Sequence, residues 1–536
     1  MRYSGRSLRE GRTRGGRPER GTGERFLNRI IPPDTLSADD RRQVEAHGIS
    51  DDSLGEQLGW LAEPPGYARL QRPATVGDGI AELTEPELTE RALFYERRAL
   101  DLRVAKFVPA SGAASRMFKP LTALSGDEGT TGGNDEAGRI FAALEDFAFY
   151  PELERAVAAA GGQLAGLRGD GRAAELAAFI LDRPGLGYGG LPKALVAFHD
   201  YPEGARTAAE EHLVEAAAYA RGRDNTACIH FTVSEQHRAS FEELFAQVVP
   251  AYEKALDVDY EIELSSQDPS TDSVAVDEQG RLFRDPAGQP LFRPGGHGSL
   301  LGNLGAMDAD IVFIKNIDNC VPDRIKTLAY VWKKALAGFL LDLQDRVFDA
   351  LAGLYEAEHG AIEAAAGLAT GTFGLEVPEL RGERRELKDT LISLLDRPLR
   401  VCGMVRNVEA PGGGPFWVER DGGASLQIVE TSQMDPDSAR QQGILAASTH
   451  FNPVDIVVST RRNDGGRFEL AEHVDRDSAF VVSRSAEGRE LRSVERPGLW
   501  NGSMAGWLTV FVEVPRQTFN PVKTLTDLLG PAHRAG

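Results

Sequence analysis

The chain has 536 residues, 41% hydrophobic and 26% charged, enough to bury two or three domains or one large core with insertions. A formal net charge of −21 argues against general nucleic-acid binding through bulk electrostatics, so an anionic substrate needs a local basic pocket. Cys228, Cys320 and Cys402 are scattered with no CxxC pair, which excludes a disulfide framework and a thiolate zinc site and fits a reducing, cytoplasmic compartment. No apolar run approaches the roughly 20 residues that span a bilayer, so no membrane partner is expected.

Residues 1–25 are rich in Arg and Gly without an apolar h-region, which predicts a disordered basic tail and no secretory signal. A basic arm contacting nucleic acid is the alternative for this tail. Residues 26–103 read as a charged helical region broken at Pro32-Pro33 and Pro64-Pro65. The α/β core, 104–325, opens on KFVPASGAASRMFKPL, Lys106 to Leu121, where Phe107 to Ala110 predict a short buried strand. Ala110, Ser111, Gly112, Ala113, Ala114 and Ser115 then carry side chains small enough for backbone N–H groups to approach a phosphate. Arg116 and Lys119 supply the positive charge to hold it. A tight strand-to-helix turn with two surface cations is the plainer reading of the same stretch.

Residues of about 122–185 read as a helical insertion opened by SGDEGTTGGND. After GLPKALVAFHDY, Thr207 and Glu210 make a capping box for a helix running to about Ala220, with Gly222 to stop it. TACIHFTV, YEIEL and IVFIK are strand candidates, with a helix from about His237 to Val248 between the first two. Strands alternating with helices predict a mainly parallel sheet whose ligands lie beyond the carboxyl ends of its strands. Leu328, Val331, Trp332, Leu336, Phe339, Leu343 and Val347 recur at helical spacing and predict a long amphipathic helix to about Glu358, within a helical segment 326–396. Residues 397–536 turn β-rich with Gly-Pro turns.

Two further positions are open to a chemical role. Asp318 follows a buried strand and can hold Mg²⁺ through an oxygen, or cap the turn before Pro322. His450 to Pro453 can line a sugar pocket or form a structural turn. His199, His297 and His450 have no HxH or HxxxH spacing, so no zinc site is expected. Trp500-Asn501-Gly502 and Gly412 to Trp417 have the Gly-plus-aromatic texture of sugar-facing loops, with core packing of the two Trp side chains as the alternative.

These residues carry a resemblance. Gly112, Ala114, Ser115, Arg116 and Met117 resemble the GxG[TS]R[ML] signature of sugar nucleotidyltransferases, and Pro192-Lys193-Ala194-Leu195 resembles their PKxL element. The larger UDP-sugar pyrophosphorylases offer more landmarks in the same order. CIHFTVSEQH resembles their MTSxxT segment, and Arg293 to Leu300 resembles their PxGxGG loop. Asn316 to Asn319 resembles VDN, Val429 to Ser432 resembles VEYSE, and Phe519 to Lys523 resembles FSPLKN. As a whole the chain most resembles the bacterial family called domain of unknown function 4301 (DUF4301).

The resemblance implies a Rossmann-like, GT-A-like nucleotide-diphospho-sugar transferase fold: a mixed, mainly parallel sheet with helical insertions and a β-rich C-terminal part that completes the sugar-phosphate side. It implies transfer of a nucleoside monophosphate, with UTP expected as donor, to a sugar 1-phosphate, with Mg²⁺ and release of pyrophosphate. Arg116 and Lys119 would then hold the leaving phosphates, and Lys193 and Lys523 the α-phosphate and the incoming phosphate. Gly295, Gly296, His297 and Gly298 would face the base, Glu430, His450 and Asn452 the sugar, and Asp318 the metal. Ala114 departs from the second glycine, Gln433 stands where the larger enzymes have an acid, and Gly112 and Lys193 are unusually far apart in sequence. Two alternatives remain: a glycosyltransferase using Asp308-Ala309-Asp310 as its DxD, and a non-catalytic nucleotide-binding protein.

Overall fold

The computed structural model describes residues 36–125, 133–167, 172–377, 384–407, 413–420 and 423–534. The basic tail, the Pro32-Pro33 loop, Gly412 and most of SGDEGTTGGND lie outside the described residues. The chain divides into two compact units that cut across sequence order: Met1–Pro65, Asp272–Pro294 and Phe480–Glu495 form one, and the remaining stretches form the other.

The larger unit is built on a nine-stranded sheet. In chain order its strands are β1 Thr75–Val76, β2 Gly79–Ala81, β3 Val104–Pro109, β4 Thr226–Thr232, β5 Asp259–Ser265, β6 Ile311–Lys315, β7 Leu399–Arg406, β8 His450–Ser459 and β9 Leu508–Glu513. Their order across the sheet is β1-β2-β9-β7-β8-β6-β3-β4-β5. Only β8 runs antiparallel to its neighbours β7 and β6; β6, β3, β4 and β5 pair in parallel, as do β7 with β9 and β9 with β2. The expected mixed, mainly parallel α/β sheet is therefore present. It extends well past the early strands, because three of its members come from the C-terminal β-rich part.

Alternation along the strands explains the layers. Val104 and Val108 of β3 point into one apolar core, and Ala105 and Phe107 into another on the opposite face. The predicted capping box is present: Thr207 accepts from Glu210 N–H at 3.3 Å and Glu210 accepts from Thr207 N–H at 2.8 Å. It starts helix α1, Ala208–Tyr219. The long amphipathic helix is α2, Asp323–Tyr355, packed beneath the sheet through Leu336, Leu340, Leu343 and Val347. The helix expected to end near Val248 runs on to Leu256 with Pro250 inside it. Region 26–103 is not wholly helical: β1, β2 and the strand Leu70–Pro73 lie in it, the last pairing with Gly414–Arg420 in a separate three-stranded antiparallel sheet.

The smaller unit is held by polar ties among its three stretches. His47 stacks on Phe292 at 3.8 Å and bonds Asp272 at 2.9 Å, while Val276 and Arg492 exchange backbone hydrogen bonds of 2.8 Å. Asp277 accepts from Gln279 and Arg281 N–H, and Asp285 accepts from Gln289 N–H, so two successive turns share one Asp-anchored design.

Candidate functional site

The carboxyl ends of β3 and β6 lie side by side, and four chain-distant loops meet there. The small-residue loop after β3 is bonded to the PKAL turn: Lys193 N–H donates to Gly112 O at 3.0 Å, and Ala114 N–H donates to Leu191 O at 3.2 Å. The loop after β6 is bonded to the FNPVK segment, with Val522 N–H on Asp318 O at 3.0 Å and Asn520 N–H on Asn319 Oδ1 at 3.0 Å. The FNPVK segment closes the ring through Leu525 N–H on Met117 O at 3.3 Å. Across the ring, Lys193 Nζ donates to Asp318 Oδ2 and to Val522 O, both at 2.8 Å. Lys193 and Asp318 are 15% and 20% exposed, so the pair is reachable but poorly screened.

Not every residue of the first loop is available to a ligand. Ala110 is buried with its N–H on Thr232 O at 2.9 Å, and Ala114 is buried with its N–H spent on Leu191. Ser111, Gly112 and Ala113 are exposed, and among the described residues no acceptor is bonded to their N–H groups. A Cβ added at Gly112 would meet nothing within 4 Å. Ser115 and Arg116 are the exposed residues of the turn Ala114–Arg116, and Lys119 opens the next helix. Arg116, Lys119 and Lys523 are exposed and have no ion-pair partner among the described residues. Three unbonded N–H groups beside free cations are what an anion needs.

The glycine loop has a different logic. A Cβ on Gly295 would lie 2.5 Å from Thr271 O, and one on Gly298 only 2.0 Å from Pro497 O; Gly296 has φ +79°. Gly295 and Gly298 therefore admit neighbouring backbone, and the expectation that they are glycine so that a base can pack against them is not needed to explain them. His297 stacks on Trp500 at 4.1 Å, accepts from Leu499 N–H at 2.8 Å and faces Glu430 at 3.4 Å. That contact with His297 holds the Glu430 carboxyl below its usual range. Gln433 accepts from Glu430 N–H and Asn501 Nδ2 and donates its own Nε2 to Ser478 O, a donor that an acid lacks.

His450 is buried against Thr449 Oγ1 at 2.8 Å, with Nε2 3.6 Å from Glu513, and burial lowers its pKa. Asn452 spends Oδ1 on Val454 N–H at 3.0 Å, holding a non-glycine residue at φ +59°. The segment lies within β8, paired with β7 at His450 and Phe451 and shifted in register before Asp455, and is not a turn. Asp308 and Asp310 lie at the amino end of β6, the opposite edge from Asp318, and both are tied to Arg461 at 2.8 and 2.9 Å. This removes the geometric basis for a DxD site there.

Sequence reading missed a charged cluster under the same loops. Lys106 lies in the middle of β3 and Lys315 ends β6, yet both point into the core, where both bind Glu215 of α1, at 2.8 and 2.7 Å. Lys333 of α2 pairs with Asp455 of β8 beside them. His212, one turn before Glu215, bonds Ile317 O at 3.1 Å and so steadies the residue preceding Asp318. Burial pushes the Lys106 ammonium down to about 7 against the pull of Glu215, and burial and the Lys106 charge together keep His212 neutral. The only sequence signal was a Lys within one buried strand and at the end of another.

Among the described residues no group of three or more His, Cys, Asp or Glu side chains could hold a metal ion. Asp318 would therefore supply one oxygen to a Mg²⁺ ion whose other ligands come from phosphate oxygens and water. No helix among the described residues is long and apolar enough to cross a membrane.

A mixed α/β protein with exposed N–H groups, free cations and a Lys–Asp pair gathered at one carboxyl edge is the class defined by this architecture. The chain belongs to the family described as domain of unknown function (DUF4301), which matches residues 37–534. No curated protein matches it. Among solved structures it is similar to the uridine diphosphate N-acetylglucosamine pyrophosphorylase from Trypanosoma brucei, at 12% identity and a TM-score of 0.47, over 93% of this chain and 80% of that one. It is also similar to a UDP-glucose phosphorylase from Trypanosoma brucei (13%, TM-score 0.42, 92% and 80%). A mutant UDP-glucose pyrophosphorylase from Leishmania major in complex with UDP-glucose is comparable (11%, TM-score 0.41, 92% and 79%). With every TM-score below 0.5, no statement about this chain's chemistry rests on these likenesses.

Proposed function

We propose that the protein is a nucleotidyltransferase that moves a nucleoside monophosphate, UMP from UTP in the first instance, onto a sugar 1-phosphate and releases pyrophosphate. The observation that carries this reading is the Lys193 ammonium bridging Asp318 and the FNPVK backbone while its own N–H is bonded to the small-residue loop. Phosphoryl transfer of this kind needs positioning and charge neutralisation more than a general base.

In this reading the N–H groups of Ser111, Gly112 and Ala113 bind phosphate oxygens, and Arg116 and Lys119 hold the departing pyrophosphate. Lys193 and Lys523 offset charge on the α-phosphate and the incoming sugar phosphate. Asp318 orients a Mg²⁺ ion, which when bound offsets phosphate charge. His297 and Glu430 border the nucleotide, with His450 further along the same edge. The test is incubation with each NTP, Mg²⁺ and a panel of sugar 1-phosphates, reading pyrophosphate release. Silence across the panel refutes the reading, and tight NTP binding with no release assigns a nucleotide-binding protein in its place.

A further inference from the structure

Lys193 and Asp318 compete for the same uses. The ammonium lies 2.8 Å from Asp318 Oδ2, and among the described residues Asp318 belongs to no group of three or more acidic, His or Cys side chains that could hold a metal ion. A divalent ion arriving at this carboxylate meets a fixed positive charge a few ångströms away, in a place too enclosed for water to screen it fully. That repulsion is large enough to cost about tenfold in affinity.

The ammonium is nevertheless built to let go. It has three N–H donors, of which Asp318 and Val522 O engage two. Its residue starts the turn Lys193–Leu195, whose first N–H is bonded to Gly112 O, between the exposed and unbonded N–H groups of Gly112 and Ala113. A phosphate bound by that loop lies next to the Lys193 stem and offers a stronger acceptor than a carbonyl. Lys106 and Lys315 are different, being at most 3% exposed and locked on Glu215.

We propose that Lys193 is an internal counter-ion that keeps a divalent cation off Asp318 until a phosphate draws the ammonium away, so that metal and phosphate enter the site together. The inference rests on the nucleotidyltransferase reading only for the identity of the phosphate. It makes an unusual demand: removing a positive residue from the phosphate-free site must tighten metal binding, where a merely structural Lys–Asp pair predicts loss.

The experiment titrates the full chain with Mn²⁺ alone, free ion being read by electron paramagnetic resonance. Lys193→Met is expected to bind Mn²⁺ about 10-fold more tightly than the wild type, Lys193→Arg to match the wild type, and Lys193→Met with Asp318→Asn to lose the gain. Thermal unfolding checks that each variant is folded, with Lys193→Gln as the second neutral variant. Equal or weaker Mn²⁺ binding by the folded neutral variants, including no binding by any protein, overturns the proposal. In EDTA, inorganic tripolyphosphate is expected to bind the wild type about 10-fold more tightly than Lys193→Met; equal binding overturns the exchange. Neither assay involves turnover, so a protein that releases no pyrophosphate but gains Mn²⁺ affinity refutes the transferase reading and leaves the counter-ion role standing.

Discussion

Two lysine–acid clusters flank the carboxyl end of β6, and they differ in what surrounds them. Lys315 and Lys106 grip Glu215 in a dry core, whereas Lys193 grips Asp318 where both side chains keep some solvent. A buried charge cannot change partners without a large desolvation cost, so the inner pair fixes the spacing of β3 and β6. A half-buried charge can be traded for a better acceptor. One sheet edge thus carries a rigid floor and an exchangeable surface, both made from lysine and a carboxylate.

The comparison is broken most forcefully from below. Glu215→Ala leaves two buried ammonium groups without a carboxylate and is expected to cost about 3–5 kcal/mol in urea unfolding. A loss under about 1 kcal/mol, the scale of an exposed pair, would remove the floor from the account. From above, Lys193→Ala should lower the rate of pyrophosphate release by about 10²–10³-fold while the unfolding midpoint changes little. A large fall in stability with unchanged turnover would reverse the assignment of the two pairs.

The glycines sharpen the same contrast at a smaller scale. Gly298→Ala drives a Cβ to 2.0 Å from Pro497 O and is expected to destabilise by about 1–3 kcal/mol. Gly112→Ala meets open space and should shift stability by less than about 0.5 kcal/mol, showing itself in nucleotide affinity.

The smallest effect is a slope with pH. The folded Lys106 titrates near 7, below its ordinary range, so between that value and the unfolded range the unfolded chain binds more protons. Its destabilising contribution is complete below pH 7 and relieved as pH rises toward 10. Lys106→Met should therefore flatten the rise in stability over that window; an unchanged slope would put the titration elsewhere.

Much of this architecture was legible in the residues. Continuous apolar runs such as IVFIK predicted buried strands, and the Thr207–Glu210 spacing predicted a helix start, because each feature depends on neighbours in sequence. The ordered motifs also named Gly112, Lys193 and Asp318, which are bonded at one edge, whereas the FNPVK element was read for Lys523 and its bonds there are made by the Asn520 and Val522 backbone. Lys106 and Lys315 were not legible as buried groups, since their partner Glu215 is more than a hundred positions from one of them and nothing local marks it. Asn452 looked like a sugar contact because its use, holding Val454 at positive φ, is a backbone property without a sequence signature of its own. Gly295 and Gly298 were recognised as special, but the atoms they make room for belong to Thr271 and Pro497.

The interleaving of chain segments sets a timetable for synthesis. The smaller unit draws on Met1–Pro65, Asp272–Pro294 and Phe480–Glu495, and β2 of the main sheet waits for β9, Leu508–Glu513, to arrive beside it. Neither can be completed until Phe480–Glu495 and Leu508–Glu513 have left the ribosome, so early segments must wait with their apolar faces uncovered. Nascent chains stalled before Phe480 should accordingly be chaperone clients, and folding should be a late, nearly all-at-once event.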